Sequence, residues 1–323
     1  MANQQIALFK DGGDDLLRID LGFLNMRFIS AESQSFSNEI DVLYGFTSPA
    51  HNELHSYRNT MLKDEVSNNA VGEYILIPIN KDIEVTTDTL LEVYYCLNLI
   101  CPSYFGLHCI IRLHEFKQGC YSEGYMTSDH RYTPHYARQF GYIMPFKLPN
   151  IDIDTFNAGL QRRLEMLLNG FPFRLFVNSY SVAYTLSNIP MAFVSLMISL
   201  ESLTSTTKKI KETIASTCAM LNADNEAEGI QIYQMTKHLY QLRSEIVHGD
   251  EKLSVERNDF LYLMALLMET FNSLIELNFS SKAELNDFAK NTKPGDRLQR
   301  YGSATIPTLN PANRRFVVSG FIP

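Results

Sequence analysis

Short apolar runs separated by polar turns characterise the first half of the chain. These runs are rich in Ile, Leu, Val, Phe and Tyr, and stretches such as DGGDD and NKD separate several of them, which is typical of β-strands. One segment, DTLLEVYYCLNLIC, differs because its apolar residues recur at helical spacing and predict a helix. The predicted strands are IALFK, LLRIDLGFLNMRFIS, DVLYGF, EYILIPI and GLHCIIRLHEF.

Helical periodicity dominates the second half. The segment after Asn188 and Pro190 is apolar almost all round, which predicts a buried helix with proline in its first turn. The segment over 254–279 reads as a long amphipathic helix, and the polar stretch NADNEAEG predicts a break before the helix that precedes it. Five or six helices with short connections would form an up-and-down bundle. The predicted helices are IDIDTFNAGLQRRLEMLLNG, FRLFVNSYSVAYTLSN, MAFVSLMISLESL, TKKIKETIASTCAML, IQIYQMTKHLYQLRSEIVHG and SVERNDFLYLMALLMETFNSLIELNF.

The pattern divides the chain into three parts. Residues 1–150 predict an α+β domain, with an irregular region over 117–150 that is rich in Gly, Tyr and His. Residues 151–290 predict the all-α bundle. Residues 291–323 carry five basic side chains and one acidic, contain Pro, Gly and Asn, and show no periodicity. We therefore expect a basic, extended C-terminal tail that could follow an RNA backbone or strap across a second copy.

Composition narrows the class of protein. With 323 residues, 45% hydrophobic and 20% charged, the chain has enough apolar material for about two domains. A net charge of −8 argues against a generally basic nucleic-acid coat protein. Five cysteines without a Cys-x-x-Cys pair argue against a disulfide framework. The first residues lack a signal-peptide pattern, and the longest apolar run is too short to span a bilayer, so we expect a cytoplasmic protein.

The segment LYQLRSEIVHGD carries the candidate chemistry. It ends a predicted helix at Gly249, with Arg243 and His248 about 140° apart around the axis and Ser244 on the same flank as His248. His248 lies at the negative end of this helix, and histidine is a side chain suited to exchanging protons near neutral pH.

Glu201 supplies a second clue. It lies in MAFVSLMISLESL, a helix with almost no other charge, where an unpaired buried carboxylate is costly. Arg243 is the natural partner. A fixed Glu201–Arg243 pair would hold the guanidinium in one pose, and Arg is well shaped for binding a phosphate.

These residues resemble a known signature. RSEIVHG is similar to the Arg-x4-His motif of HEPN domains, the higher eukaryote and prokaryote nucleotide-binding helical bundles. LMISLESL followed by LYQLRSEIVHGD looks most like the ApeA-like branch of that family. The resemblance covers about residues 153–290.

The resemblance implies a metal-independent endoribonuclease that dimerises and builds one cleft from two motifs. His248 would act as acid or base, Arg243 would bind the scissile phosphate, Ser244 would donate a supporting hydrogen bond and Glu201 would orient Arg243. The RNA 2′-hydroxyl would be the nucleophile, leaving a 2′,3′-cyclic phosphate. Such proteins commonly act as toxins or antiviral effectors, and residues 1–150 would then be a sensor or regulator.

Plainer interpretations stay open. Arg243 and His248 could be polar surface residues near a helix end, or the bundle could be a catalytically inactive scaffold that binds a nucleotide, an RNA or a protein. No Gly-rich phosphate loop, Gly-x-Ser-x-Gly elbow or His-Glu-x-x-His motif occurs, so we expect neither a nucleotide cofactor nor a metal. The residues weighed and set aside as metal ligands or base-stacking loop residues are His108, Cys109, His114, Cys120, His130 and His135.

Overall fold

The structure is a computed structural model that describes most of the chain. The described residues are 4–10, 13–30, 74–80, 82–101, 106–116, 119–125, 147–186, 188–204, 209–249, 254–296 and 311–319. The predicted strand DVLYGF, the loop histidines His130 and His135, and the tail cations Arg297 and Arg300 lie outside the described residues.

A five-stranded antiparallel sheet forms in the N-terminal part, in the order β2-β3-β1-β4-β5. Its strands are β1 (Gln4–Lys10), β2 (Met26–Ser30), β3 (Tyr74–Pro78), β4 (Gly106–Phe116) and β5 (Gly119–Tyr125). Together with the helices that follow, the sheet confirms an α+β N-terminal region and a helical C-terminal region.

Two sequence predictions for the sheet are wrong. The run LLRIDLGFLNMRFIS forms a strand only at its end, because Asp14–Arg18 and Gly22–Leu24 are short 3-10 helices. The stretch Gly119–Tyr125, predicted to be irregular, is a strand that pairs with β4 from Phe116↔Gly119 onward. Its two glycines disfavour a strand and its two tyrosines favour one, so the pairing with β4 decides its conformation.

Helix α1 (Thr87–Ile100) joins the sheet to the bundle. Thr86 caps its start, with the side-chain oxygen accepting from the backbone N–H of Thr89 at 3.2 Å. The helix packs against β1 on one side and against the bundle on the other. This helix was predicted from its apolar spacing and is confirmed.

Four helices of the bundle begin at polar caps. Asp152, Asn188, Asn225 and Ser281 each accept a hydrogen bond from the backbone near the start of a helix. Asn188 was predicted as one of these starts and is confirmed. The helices are α2 (Ile153–Leu168), α3 (Arg174–Thr185), α4 (Ile189–Glu201), α5 (Ile210–Asn222), α6 (Glu226–Val247), α7 (Arg257–Glu276), α8 (Lys282–Asn291) and α9 (Pro311–Ser319).

One boundary and one additional helix differ from the sequence prediction. Helix α6 begins at Glu226, inside the predicted polar break, because Asn225 caps it there. Helix α8 was not predicted; Ser281 caps it, and Leu285 and Phe288 are its two buried residues. The described part of 151–291 therefore holds seven helices, α2 to α8, where five or six were expected.

Helix α7 is the centre of the bundle. Every residue of 260–277 is buried, although the sequence predicts an amphipathic helix. It contacts α1, α4, α5, α6 and α9. Its polar residues look like a solvated face in the sequence, but partners from other helices bind them. Arg163, for example, lies 3.1 Å from a carboxylate oxygen of Glu276.

The sheet and the bundle share one apolar core. The hydroxyl of Tyr180 in α3 donates to the carbonyl of Asn98 in α1 at 3.2 Å. The backbone N–H of Asp20 donates to the side chain of Asn157 in α2 at 3.1 Å. The boundary that the sequence places near Pro149 is therefore crossed by packing and hydrogen bonds between the two parts.

Residues 311–319 of the basic tail form a helix, where the sequence predicts an extended arm. Helix α9 packs against α6 and α7. The Tyr262 hydroxyl donates to the carbonyl of Val317 at 3.0 Å, and Arg314 lies 2.8 Å from Asp224 and 3.2 Å from Glu228. Because acidic residues of the same chain bind Arg314, this cation is not available for RNA.

Among the helices of the described residues, none is both long enough and apolar enough to cross a bilayer.

Two neighbouring arginines allow a matched test of the core. Arg163 and Arg162 both contact Glu276 at 3.1 Å, but their side chains are 1% and 44% exposed. Removing Arg163 takes away the buried cation beside Glu276, and Arg162, the other arginine in contact with that carboxylate, is more exposed to solvent. We therefore expect Arg163→Met to lower the free energy of unfolding by about 3–5 kcal/mol. Arg162→Met should lower it by less than about 1 kcal/mol.

Urea unfolding of the two variants measures the difference. Equal losses would contradict the structure. The double variant Arg163→Met/Glu276→Leu should be less destabilised than Arg163→Met alone, since it leaves no buried charge unpaired.

Candidate functional site

Glu201 and Arg243 meet between α4 and α6. Glu201 is the last residue of α4, and Arg243 lies one turn before the end of α6. The Arg243 Nη2 donates to Glu201 Oε2 at 3.3 Å, and Nε lies 3.0 Å from Oε1. The pair expected from the sequence is therefore present, and it joins residues that are 42 positions apart.

Glu201 accepts hydrogen bonds from only some of the N–H donors of the Arg243 guanidinium. The Nε–Oε1 contact is an ion pair without hydrogen-bond geometry, since both atoms are buried and without a hydrogen-bond partner. Among the described residues, Nη2 makes the only side-chain hydrogen bond of Arg243. A guanidinium has five N–H donors, so Arg243 can bind another anionic oxygen while it contacts Glu201.

Tyr240 supports Arg243 from the preceding turn of α6. The Cζ of Arg243 lies 5.9 Å from the centroid of the Tyr240 ring, within reach of a cation–π interaction. The guanidinium is thus held by a carboxylate and a ring. Sequence reasoning missed Tyr240, although its position three residues before Arg243 could have indicated the contact.

His248 ends α6 and is exposed to solvent. Its backbone N–H donates to the carbonyl of Ser244 at 3.0 Å, and Gly249 follows with a φ of +82°. Glycine adopts this left-handed conformation readily, so the predicted helix end at Gly249 is confirmed. Ser244 lies one turn before His248 on the same flank and is half-buried.

One protomer does not join all four predicted site residues. Glu201 and Arg243 are in contact, and Ser244 and His248 share a flank. Within the described part of the chain, no hydrogen bond or ion pair links Arg243 to His248. The angle of about 140° between these two residues on one helix accounts for the separation.

The environment of Glu201 alters its proton affinity. Burial raises the pKa of this carboxyl above its usual value, and the nearby Arg243 guanidinium opposes that rise. The burial effect is larger than the effect of Arg243. Glu201 is therefore a carboxylate whose ionised form is disfavoured by its site, despite its cationic partner.

Neither a metal nor a reactive thiol is indicated in the described part of the chain. No group of three or more His, Cys, Asp or Glu side chains there could hold a metal ion. The side chains of the set-aside strand residues His108, Cys109, His114 and Cys120 lie outside what the structure describes. Burial raises the pKa of the Cys96 and Cys218 thiols to about 12, so neither forms a nucleophilic thiolate near neutral pH.

Comparison with known proteins identifies no relative. No protein-family model matches the sequence, and neither a curated protein nor a solved structure matches it. The arrangement of Arg243, Glu201, Ser244 and His248 is therefore the basis for any functional proposal.

The pKa of Glu201 gives a pH-dependent prediction. Because the pKa is higher in the folded chain than in the unfolded chain, the folded state binds this proton more tightly. The resulting stabilisation is fully present below the unfolded pKa, near 4.5, and is lost as the pH rises through the folded pKa. Wild type should therefore lose stability relative to Glu201→Gln between pH 4 and pH 7, by no more than about 1 kcal/mol because the pair is partly exposed.

Urea unfolding of wild type and Glu201→Gln at pH 4 and pH 7 measures whether the stability of wild type relative to the variant falls or rises. The same comparison in an Arg243→Ala background should give a larger loss, since the guanidinium no longer opposes the effect of burial. A gain of stability by wild type over Glu201→Gln on going from pH 4 to pH 7 would show that Arg243 outweighs burial.

Proposed function

We propose that the protein is a metal-independent endoribonuclease of the HEPN type that acts in prokaryotic anti-phage defence or as a toxin. The observation that carries the proposal is the Glu201–Arg243 pair, which holds a guanidinium about 22% exposed beside the helix end that bears His248. An oriented, solvent-accessible guanidinium near an exposed imidazole is the minimum that phosphate binding and proton transfer require.

The reaction follows from these roles. His248 removes the proton from the RNA 2′-hydroxyl, and the oxygen attacks the adjacent phosphorus. Arg243 binds a non-bridging phosphate oxygen and stabilises the charge that develops there. The 5′-oxygen of the next nucleotide leaves and takes up a proton, which leaves a 2′,3′-cyclic phosphate. Ser244 donates a hydrogen bond to the phosphate, and Glu201 orients Arg243.

A second copy would complete the site. Leu175 and Val182 lie seven residues apart on α3, and Met191 and Ile198 lie seven apart on α4, so each pair shares one helix face. These side chains are between 37% and 52% exposed. Residues 175–200 contain no charged side chain. A face that is apolar and uncharged matches itself across a two-fold axis, because no like charges oppose each other.

This apolar face of α3 and α4 borders the candidate site. Ile198 lies one turn before Glu201 on α4. A dimer formed through the face would bring two Glu201–Arg243 pairs towards its axis, so that His248 of one protomer could approach Arg243 of the other. In this arrangement Arg243 and His248 come from different protomers, so the angle of about 140° between them on one helix does not prevent them from acting on the same phosphate.

The second candidate is a catalytically inactive HEPN scaffold that binds a nucleotide, an RNA or a protein. The separation of Arg243 from His248 in one protomer favours it, since a single chain lacks a joined catalytic pair. In either case we propose that residues 1–150 sense the trigger or regulate the bundle, and that the protein works in the cytoplasm.

Cleavage of mixed cellular RNA in EDTA tests the nuclease. We expect wild type to produce fragments with 2′,3′-cyclic phosphate ends. His248→Ala should reduce the rate by about 10²–10⁴-fold, the range that general acid–base catalysis supplies. Arg243→Ala should reduce it at least as strongly.

His238 provides the matched control. It is an exposed histidine on the same helix, 3.0 Å from Asp259, and has no role in the proposed site. His238→Ala should cleave like wild type. Equal cleavage by His248→Ala and wild type would refute the assignment, whereas no cleavage by any of the three would favour the inactive scaffold.

The dimer face gives a separate test. We expect Ile198→Glu to convert a dimer to a monomer in sedimentation velocity, because a buried unpaired carboxylate at an interface is costly. Ile83→Glu, at an N-terminal residue that is 52% exposed, is the control and should remain dimeric. A wild-type monomer at all accessible concentrations would exclude the composite site.

A further inference from the structure

A groove of about 500 Å³ runs between α5 and α6, on the outer side of the bundle. Ala219 and Gly229 are buried at its base, Tyr233 and Lys237 form part of one wall, and Pro294 closes one end. A Cβ at Gly229 would lie 2.3 Å from the Cβ of Pro294, so only glycine permits this closure. The groove is therefore a defined feature of the fold and not a gap between loose side chains.

One face of α6 connects the groove to His248. At 100° per residue, Tyr233, Lys237, Tyr240, Ser244 and His248 fall within about 80° of the helix circumference. At 1.5 Å per residue, they extend over about 22 Å. We call this set the α6 track. At one end of the track, Tyr233 and Lys237 line the groove. At the other end lies His248, the candidate catalytic residue.

Aromatic rings of the α6 track are each paired with a cation, Lys237 on the track and Arg243 beside it. The Lys237 ammonium lies 5.3 Å from the centroid of the Tyr233 ring, and the Arg243 guanidinium lies 5.9 Å from that of Tyr240. Single-stranded nucleic acids bind to surfaces of this kind, because bases stack on the rings while cations contact the phosphates. A double helix offers no unstacked base to such rings.

Helix α5 places one cation and one carboxylate near the α6 track. Lys237 lies 4.0 Å from Glu212, and their side chains are 35% and 48% exposed, so water screens this contact and neither side chain is fixed by it. Lys211, one residue before Glu212, donates to Gln241 of α6 at 3.2 Å and adds a second cation beside the track.

We propose that the groove and the α6 track bind single-stranded RNA, with one base against Tyr233 and the following nucleotides directed towards His248. The inference rests on the proposed function for the position of the cleaved bond, and it adds a binding site for nucleotides remote from that bond. The groove is thus a substrate-selecting site, which favours RNA long enough to reach from His248 to Tyr233.

Fluorescence anisotropy with a labelled single-stranded RNA tests the binding, using the full chain with His248→Ala so that the RNA is not cleaved. In this background we expect Tyr233→Leu to weaken binding about tenfold, because leucine keeps the apolar volume but removes the stacking ring. Tyr233→Phe, which keeps the ring, should bind more tightly than Tyr233→Leu.

Two lysine variants test whether the charge of Lys237 contributes to RNA binding. Lys237→Ala should weaken binding and lower the slope of log K against log salt by about one, as expected when one phosphate contact is lost. Lys290→Ala makes the same change of charge at an exposed residue of α8. It should change neither the affinity for RNA nor the salt slope. If Tyr233→Leu and Lys237→Ala bind RNA as tightly as Lys290→Ala, or if duplex RNA binds as well as single strands, the proposal is overturned.

Cleavage assays separate this inference from the proposed function. In the active chain, Tyr233→Leu should raise the KM for a long single strand more than for a dinucleotide, which is too short to reach the groove. If the wild-type chain cleaves no RNA while Tyr233→Leu and Lys237→Ala still weaken RNA binding, the nuclease is refuted and the groove is supported. Cleavage that depends on His248 but not on Tyr233 at any substrate length would support the nuclease and refute the groove.

Discussion

Helix α7 imposes the constraint on which the rest of the structure depends, because it is buried on all sides and yet carries polar side chains. A buried carboxylate or amide without a partner is costly, so the neighbouring elements must supply hydrogen-bonding groups at fixed positions. Three contacts meet this requirement and hold helices that are distant in sequence in register around α7. They are Arg163 of α2 with Glu276, Asn222 of α5 with Thr270, and Asn313 of α9 with Glu269.

The packing around α7 determines the geometry of the candidate site. Helices α4 and α5 both contact α7, and α6 packs against α4 and α5. The end of α4 is thereby brought beside the last turn of α6, and Glu201 meets Arg243. The apolar sequence of α4 adds to this effect, because the Glu201 carboxylate is only partly exposed to water and the Arg243 guanidinium is its main source of compensation. The pair is thus a consequence of the core as well as a candidate functional feature.

This explains which parts were predictable from the sequence. The partner of Glu201 could be predicted because a single carboxylate in an apolar helix requires a cation, and Asn188 and Gly249 mark helix ends through local chemistry. The burial of α7 could not be predicted, since Glu269 and Glu276 look like a solvated face until Asn313 and Arg163 are brought to them. Strand β5 and helix α9 were missed for the same reason, as each depends on contacts with segments that are distant in sequence.

The pairing with Glu201 also limits what Arg243 can do alone. A guanidinium next to a carboxylate presents almost no net charge to a phosphate at a distance, so long-range attraction must come from elsewhere, all the more in a chain with a net charge of −8. At physiological salt, charges act over only about 8 Å, and local cations therefore matter more than the total. Lys237 belongs to the α6 track and Lys211 lies beside it, so both can attract an RNA strand. A second protomer would double the guanidinium groups at the site. An RNA bound first along α6 would reach Arg243 already oriented, where the free N–H groups of that residue supply short-range hydrogen bonds instead of net charge.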